Sequence, residues 1–540
     1  MRLAGRELKR PSKRDVWDGF REYVRTCLTI DTRTLAVFRI VAGLLIILDL
    51  LLRARRFTFF YTEDGVVPRA LGQDTSPDNA FSVYFFTGDP TLTAVLFVIQ
   101  GLIAVQLIIG YKTRIAMILS FLLVISLDHR NMLVTSYADI LFRFLLFWAM
   151  FLPLGERWSI DAIHAEREPR PRVANVASLA ILAQMVYMYF ANWLHKAGNE
   201  LWTSGDATPL IFGLDDTTFL LGDTMRNFMT ALEWGGMFWY YLLFLSPLLL
   251  LMVGRPRMLL ALCLFGGHLG FAFTVRIGAF PYVGMMGVSL FFQSVFWDDA
   301  RRVLTFVRVY PYVERAAGAI ERGGYWLAGR LPRLALGEQI PRPVAAGVFS
   351  GTFALAFFMV MLLPAISFFS NELTDWDIDL GDVEEQNREL TAILGVRQPD
   401  WTIFAPQPRT TDRYHVIAAR TTDDELLDLY NNRPLSFERP YSQLHRQYDT
   451  YRERFYMTGV RRAGSTGGAT WYLSEHLCET WRGEDDTRLT HINIYVFSER
   501  VTRETIDRYE DREVSSDLVY EHGCEGNEPM TLTPPDEATH

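Results

Sequence analysis

Over the first two thirds of the chain, long apolar runs alternate with short polar connections. Beyond that point the pattern changes to short strand-like alternation. A helix needs about 20 apolar residues to cross a bilayer. Thr34–Leu52, Thr91–Gly110, Ala138–Leu154, Val173–Leu194, Gly236–Val253, Met258–Thr274, Gly278–Trp297 and Pro343–Phe369 are runs of this kind. Ile115–Leu127 is shorter but follows the tight loop 111–114, so it reads as a return crossing. The expected fold is therefore mostly α, a polytopic helical membrane bundle of about nine spans (34–370) followed by a soluble domain. The mixed segment Thr208–Leu232 reads as interfacial or re-entrant, and the Arg/Gly/Ala-rich block 298–342 as a cytoplasmic amphipathic connection. Alternation in Ile492-Asn493-Ile494-Tyr495-Val496-Phe497 marks a half-buried strand. Further strands are expected at Trp401–Phe404 and Tyr414–Ala419, and helices near Tyr441–Tyr456 and Trp471–Trp481. Residues 371–525 thus read as a β-rich α+β domain, 1–33 as a cytoplasmic N-terminal segment and 526–540 as a disordered tail.

Charge gives this arrangement a direction. With the N-terminus inside, the inside segments hold 25 Arg and Lys and the outside loops eight, so the positive-inside rule favours a cytoplasmic N-terminus. Nine crossings then place the C-terminal domain outside the cell membrane. From Asn371 onward there are 34 Asp and Glu against 18 Arg and no Lys, a net −16, within a total of −9. An acidic exterior offers no basic face to release counterions, which argues against a nucleic-acid partner. The whole chain has four lysines (Lys9, Lys13, Lys112 and Lys196) beside 49 arginines, a bias that suggests a salt-loving, halophilic organism. Of the four cysteines, Cys478 and Cys524 share the soluble domain and are able to pair in an oxidising compartment. No cysteine or histidine cluster of metal-site spacing is present, and no Walker loop, so neither a metal nor a nucleotide is expected.

Ionisable side chains inside spans are expensive and face a partner or a cavity. Arg39, Asp49, Asp139 and Arg143 read as structural intramembrane charges, with Asp139 and Arg143 four apart on one helix and able to pair. Lys196 differs. It ends an aromatic-rich span, Tyr187-Met188-Tyr189-Phe190-Ala191-Asn192-Trp193-Leu194-His195, with no acid closer than Glu200. In an apolar setting the charged form loses solvation, so a neutral amine becomes accessible as a base; the plainer alternative is an end-of-span lysine that snorkels to water. His268 sits mid-span between Gly267 and Gly270, in the same leaflet as Lys196 by this topology. It reads either as a helix-contact histidine or as part of one site with Lys196.

These residues also carry a family resemblance. Ile277-Gly278-Ala279-Phe280-Pro281-Tyr282-Val283 resembles the I-G-x-F-P-Y-V run of the HTTM domain, with His268 twelve residues before the Phe. Tyr189-Phe190-Ala191, Lys196 and Leu201-Trp202 are similar to the stretch carrying that family's lysine. Trp401-Thr402-Ile403-Phe404-Ala405-Pro406 is similar to the W-x-x-F-x-P start of the soluble part in microbial, including archaeal, members. The HTTM domain is the membrane module of vitamin K-dependent γ-carboxylases. The resemblance implies Lys196 as catalytic base and His268 as its catalytic companion. It implies a quinone or substrate pocket involving Thr135, Tyr189, Trp202, Phe280, Pro281 and Tyr282. It further implies a reduced vitamin K-type (menaquinol-like) quinone with oxygen, and carbon dioxide if the protein is a carboxylating lyase. The partners so implied are the bilayer, the quinone and a secreted peptide or protein. Where the carboxylases have a histidine before Ser-Tyr, this chain has Thr135, so quinol oxygenation is carried over more directly than carboxylation. Rival expectations are an accessory protein in maturation of a secreted peptide, and a lipid- or quinone-binding protein.

Overall fold

The computed structural model describes residues 13–333, 342–373 and 381–534. Local signals set the helix ends. The Asp31 carboxylate caps Thr32–Ala54 by accepting the Arg33 N–H at 2.9 Å. Asp89 caps Pro90–Ile109, with proline at the first helical position, and Gly110 ends it at φ 68°. A side chain on Gly110 would also collide with the Arg39 guanidinium, which lies at 2.8 Å from where a Cβ would stand. Asn175 and Ser178 close a capping box at the start of Val176–Ala197.

Each of the nine expected crossings is helical over much of its length, but not all as full-length spans. Among the described residues, five helices are long and apolar enough to cross a bilayer: Thr32–Ala54, Pro90–Ile109, Val176–Ala197, Gly254–Thr274 and Ala346–Ser370. Phe280–Ser289 and Ser294–Phe306 would add a sixth, bent by 105° at its break. Tyr137–Ala149 and Met229–Phe244 are only 13 and 16 residues long, and Thr113–Arg130 carries Arg114, Asp128 and Arg130 within its 18 residues. Tyr137–Ala149 is nevertheless almost wholly buried, surrounded by the other helices. A multi-pass helical membrane protein is the architecture these elements define.

The C-terminal part is a five-stranded antiparallel sheet. Its order is Arg433–Pro434, Leu426–Asp428, Thr411–Thr421, Leu489–Arg500, Val514–Gly523. The two central strands run in register from Thr411 opposite Arg500 to Arg420 opposite His491. Alternation sends Ile417, Ala419, Ile492 and Ile494 into the core continuous with the membrane bundle, together with Tyr456 and Met457 of helix Tyr451–Ala463. Val416, Ala418, Tyr495 and Phe497 face the other way and form a second cluster with Leu435 and Leu532. The expected strand at Trp401–Phe404 is instead a turn with Trp401 and Phe404 at φ 52° and 54°. Its alternation is misleading because Trp401 is buried as a plug, not as one side of a pleat. Of the expected tail, residues 526–534 are described and Leu532 is buried against the sheet; residues 535–540 lie outside the described residues, as do 1–12 and 334–341. Cys478 and Cys524 form a disulfide.

The mixed segment 208–232 folds as short helices, Ala207–Phe212 and Leu221–Met225, that hold the sheet to the bundle. Between them, the Asp215 and Asp216 amides donate to the Asp412 carboxylate at 2.6 and 3.0 Å. Arg512 reaches Asp215, Asp412 and Glu499 at 3.0, 3.1 and 3.3 Å. Burial, then the neighbouring Asp216 and Asp215, push the Asp412 carboxyl well above the usual carboxylate range.

Candidate functional site

Helical spacing decides what Lys196 faces. Tyr189, Asn192 and Lys196 lie at i, i+3 and i+7, so they share one stripe of Val176–Ala197. His195 falls off that stripe and packs edge-on against Phe368 at 5.5 Å. The lysine is 2% exposed, so it does not reach out to water. Its Nζ donates to Asn192 Oδ1 and to the Ile403 carbonyl, the latter at 2.6 Å, and lies 4.5 Å from the centre of the Trp202 ring. Asn192 in turn donates to the Trp401 and Ile403 carbonyls at 2.7 and 2.9 Å. The 401–404 turn is thus a roof over the amine. Trp401 anchors it by donating to Gln398 at 3.1 Å, and Tyr137 shares a hydrogen bond with Thr402 at 2.9 Å.

Below the roof is a cavity of about 470 Å³. Its polar edge is Lys196 with Asn192; Tyr189, Trp202, Trp239, Phe280 and Phe404 supply aromatic walls. It opens sideways between Met229–Phe244 and Gly254–Thr274, where Phe238 and Cys263 are exposed on the outer surface of the bundle. Gly266 and Gly270 line this passage with nothing within 4 Å of where a side chain would begin.

His268 stands one layer behind the wall. Its Nε2 shares a 2.6 Å hydrogen bond with the Tyr189 hydroxyl, and its ring lies among Trp239, Phe271 and Phe280. Gly284 is required here, because a Cβ at that position would overlap the imidazole. His268 therefore reaches the cavity through Tyr189.

The remaining expected site residues divide. Tyr189, Trp202 and Phe280 line the Lys196 cavity. Pro281 and Tyr282 do not: one residue further round the helix they face the opposite side, into a second cavity. Thr135 is outside both; its hydroxyl is spent on the Met132 carbonyl at 2.8 Å. Asp139 and Arg143 do not pair with each other. Asp139 accepts from Arg452 of the soluble part and from Ser136 N–H, while Arg143 lies 3.7 Å from Asp128. Asp49 bonds Arg53 at 2.7 Å and also Arg452, and Arg39 donates to the carbonyls of Ile108, Leu154, Arg157 and Trp158. Sequence reasoning missed Asn192, Ile403 as the carbonyl that accepts from Lys196 and Asn192, and Arg452. Asn192 carried a signal, a carboxamide within an aromatic span four residues before the lysine. Among the described residues no group of three His, Cys, Asp or Glu is placed to hold a metal.

A multi-pass membrane protein with an enclosed amine at a cavity open to the outer surface of the bundle is the class that these observations define. The HTTM domain profile matches residues 28–297, half of the chain, and covers the helices bearing Lys196 and His268. The chain belongs to the HTTM domain family. Comparison with curated proteins and with solved structures gave no match.

Proposed function

We propose that the protein is an enzyme resembling the vitamin K-dependent γ-carboxylases, using a reduced quinone and oxygen with Lys196 as base. The observation that carries this reading is a lysine amine enclosed at the polar edge of an apolar cavity that opens to the bilayer side of the bundle. The residues present fit a quinol: aromatic walls suit a ring system, the side mouth suits a prenyl tail, and a single amine suits a phenolic proton. When bound, the quinol supplies the reducing power that oxygen consumes. Lys196 accepts the hydroxyl proton, Asn192 aims the amine, Phe404 and the roof exclude water, and His268 fixes the Tyr189 hydroxyl. A base so placed contributes about 10²–10⁴-fold in rate.

The same reading includes nine crossings with a cytoplasmic N-terminus, the acidic domain outside, and a secreted peptide or protein whose Glu side chains would be carboxylated with carbon dioxide. Thr135, turned into its own loop, weighs toward quinol oxygenation over carboxylation. A lipid- or quinone-binding or maturation role without turnover is the second reading, favoured by the way the lysine hydrogen bonds are already taken by Asn192 and Ile403. Oxygen uptake by the purified full chain with a long-chain naphthohydroquinone decides between them. Lys196→Ala should lower it at least 100-fold; equal uptake by wild type and variant overturns the base, and no uptake by either supports the binding role.

A further inference from the structure

On the other side of the Phe280–Val283 segment is a second cavity, of about 380 Å³. The partition is thin: Val275 lines both cavities, Phe280 faces the Lys196 side, and Ala279 and Pro281 face this one. Leu48 and Tyr282, both exposed on the outer surface of the bundle, stand at its mouth. At its inner end is the charge cluster, in which the carboxylates of Asp49, Asp128 and Asp139 meet the guanidinium groups of Arg53, Arg143 and Arg452. Three against three leaves no net charge to draw in a free ion. Exposure within the cluster is uneven: the Asp49 side chain is 28% accessible, whereas Arg53 and Arg452 are 1% and 3%. Of the cluster's groups, the one most open to the cavity is therefore a hydrogen-bond acceptor, the Asp49 carboxylate. Asp128 also lines the cavity, but its Oδ2 is fully buried and faces Arg143 Nε at 3.7 Å. The accessible Asp49 carboxylate is the acceptor that a ligand hydroxyl entering from the mouth would meet.

We propose that this cavity is a second, bilayer-accessible binding site, for a neutral lipid-soluble hydroxyl compound whose O–H donates to the Asp49 carboxylate while its apolar body lies along Leu45, Leu48 and Phe142. A quinol and a diacylglycerol-type lipid share that chemistry. The site stands whether or not Lys196 acts as a base.

Native mass spectrometry of the full chain in detergent, kept anaerobic, tests it with three probes: a long-chain naphthohydroquinone, its dimethyl ether and dioleoylglycerol. Gly266→Phe fills the Lys196 cavity, so any molecule still bound is counted elsewhere. That variant should retain one hydroxyl ligand, and adding Leu48→Trp at the exposed second mouth should weaken it at least tenfold. The ether should bind at least tenfold more weakly than the hydroxyl probe. Retention of the hydroquinone alone assigns a quinol site, and retention of dioleoylglycerol assigns a lipid site. Loss of all binding in Gly266→Phe, equal binding of the ether, or indifference to Leu48→Trp overturns the proposal.

Discussion

Asn192 does two jobs with one carboxamide, accepting from Lys196 and donating to two roof carbonyls. Asn192→Leu keeps the volume and removes both. Quinol-dependent oxygen uptake should fall about tenfold, mainly in kcat, with the thermal midpoint moving far less than for a cavity-creating change. Lys196 was legible in the sequence because a lysine without a nearby acid is conspicuous among four. Its partners were not, since Ile403 lies 207 residues away and Tyr189 meets His268 across 79. The Asp139–Arg143 expectation failed for a related reason: i, i+4 spacing permits a pair, but Arg452 arrives from 313 residues away with better geometry. A further single-residue effect concerns His415 on the central strand. Burial brings its imidazole down to about 4. Between pH 6.5 and 4 the unfolded chain binds a proton there that the folded chain does not, so stability falls as pH falls, by up to about 3 kcal/mol. Thermal midpoints of wild type and His415→Gln from pH 7.5 to 4.5 should converge toward acid, the variant losing less.

Among elements, the 401–404 turn is the one whose form departs most from its sequence pattern. Trp401 is fully buried among Tyr137, Phe144 and Gln398, and it pins the roof from within the bundle. Trp401→Ala should cost about 3–5 kcal/mol and lower the midpoint accordingly. Spans were the easiest elements to read, because 20 apolar residues leave few alternatives. Their count was harder. Tyr137–Ala149 is buried by neighbouring helices instead of by lipid, and the 105° break after Ser289 divides what hydropathy shows as one run. Strand pairing followed the period-2 pattern wherever a strand had one buried face on each side, as at Tyr414–Ala419 and Ile492–Phe497.

Across the whole molecule, the sheet is joined to the bundle by charge as well as by apolar packing. Arg512→Ala would remove the buried guanidinium that Asp215, Asp412 and Glu499 share, leaving Arg439 to hold Asp215 and Glu499 at the seam, a loss of about 3–5 kcal/mol. The expected result is a lower midpoint together with proteolytic release of the C-terminal domain. The Cys478–Cys524 disulfide closes 46 residues of that domain, and its removal by Cys478→Ser should lower stability by about 2–4 kcal/mol. Impermeant-thiol labelling of intact cells, before and after reduction, then reports which side of the membrane holds these two sulfurs; an outside domain labels only after reduction.

The roof over Lys196 also makes the chain its own stopwatch. An amine-acylating reagent meets only four lysine side chains, and one of them is capped by the Ile403 carbonyl. The rate at which that position is acylated reports how often the amine is reached, and comparing wild type with Gly266→Phe, which fills the side mouth, leaves the share that enters by lifting of the 401–404 turn.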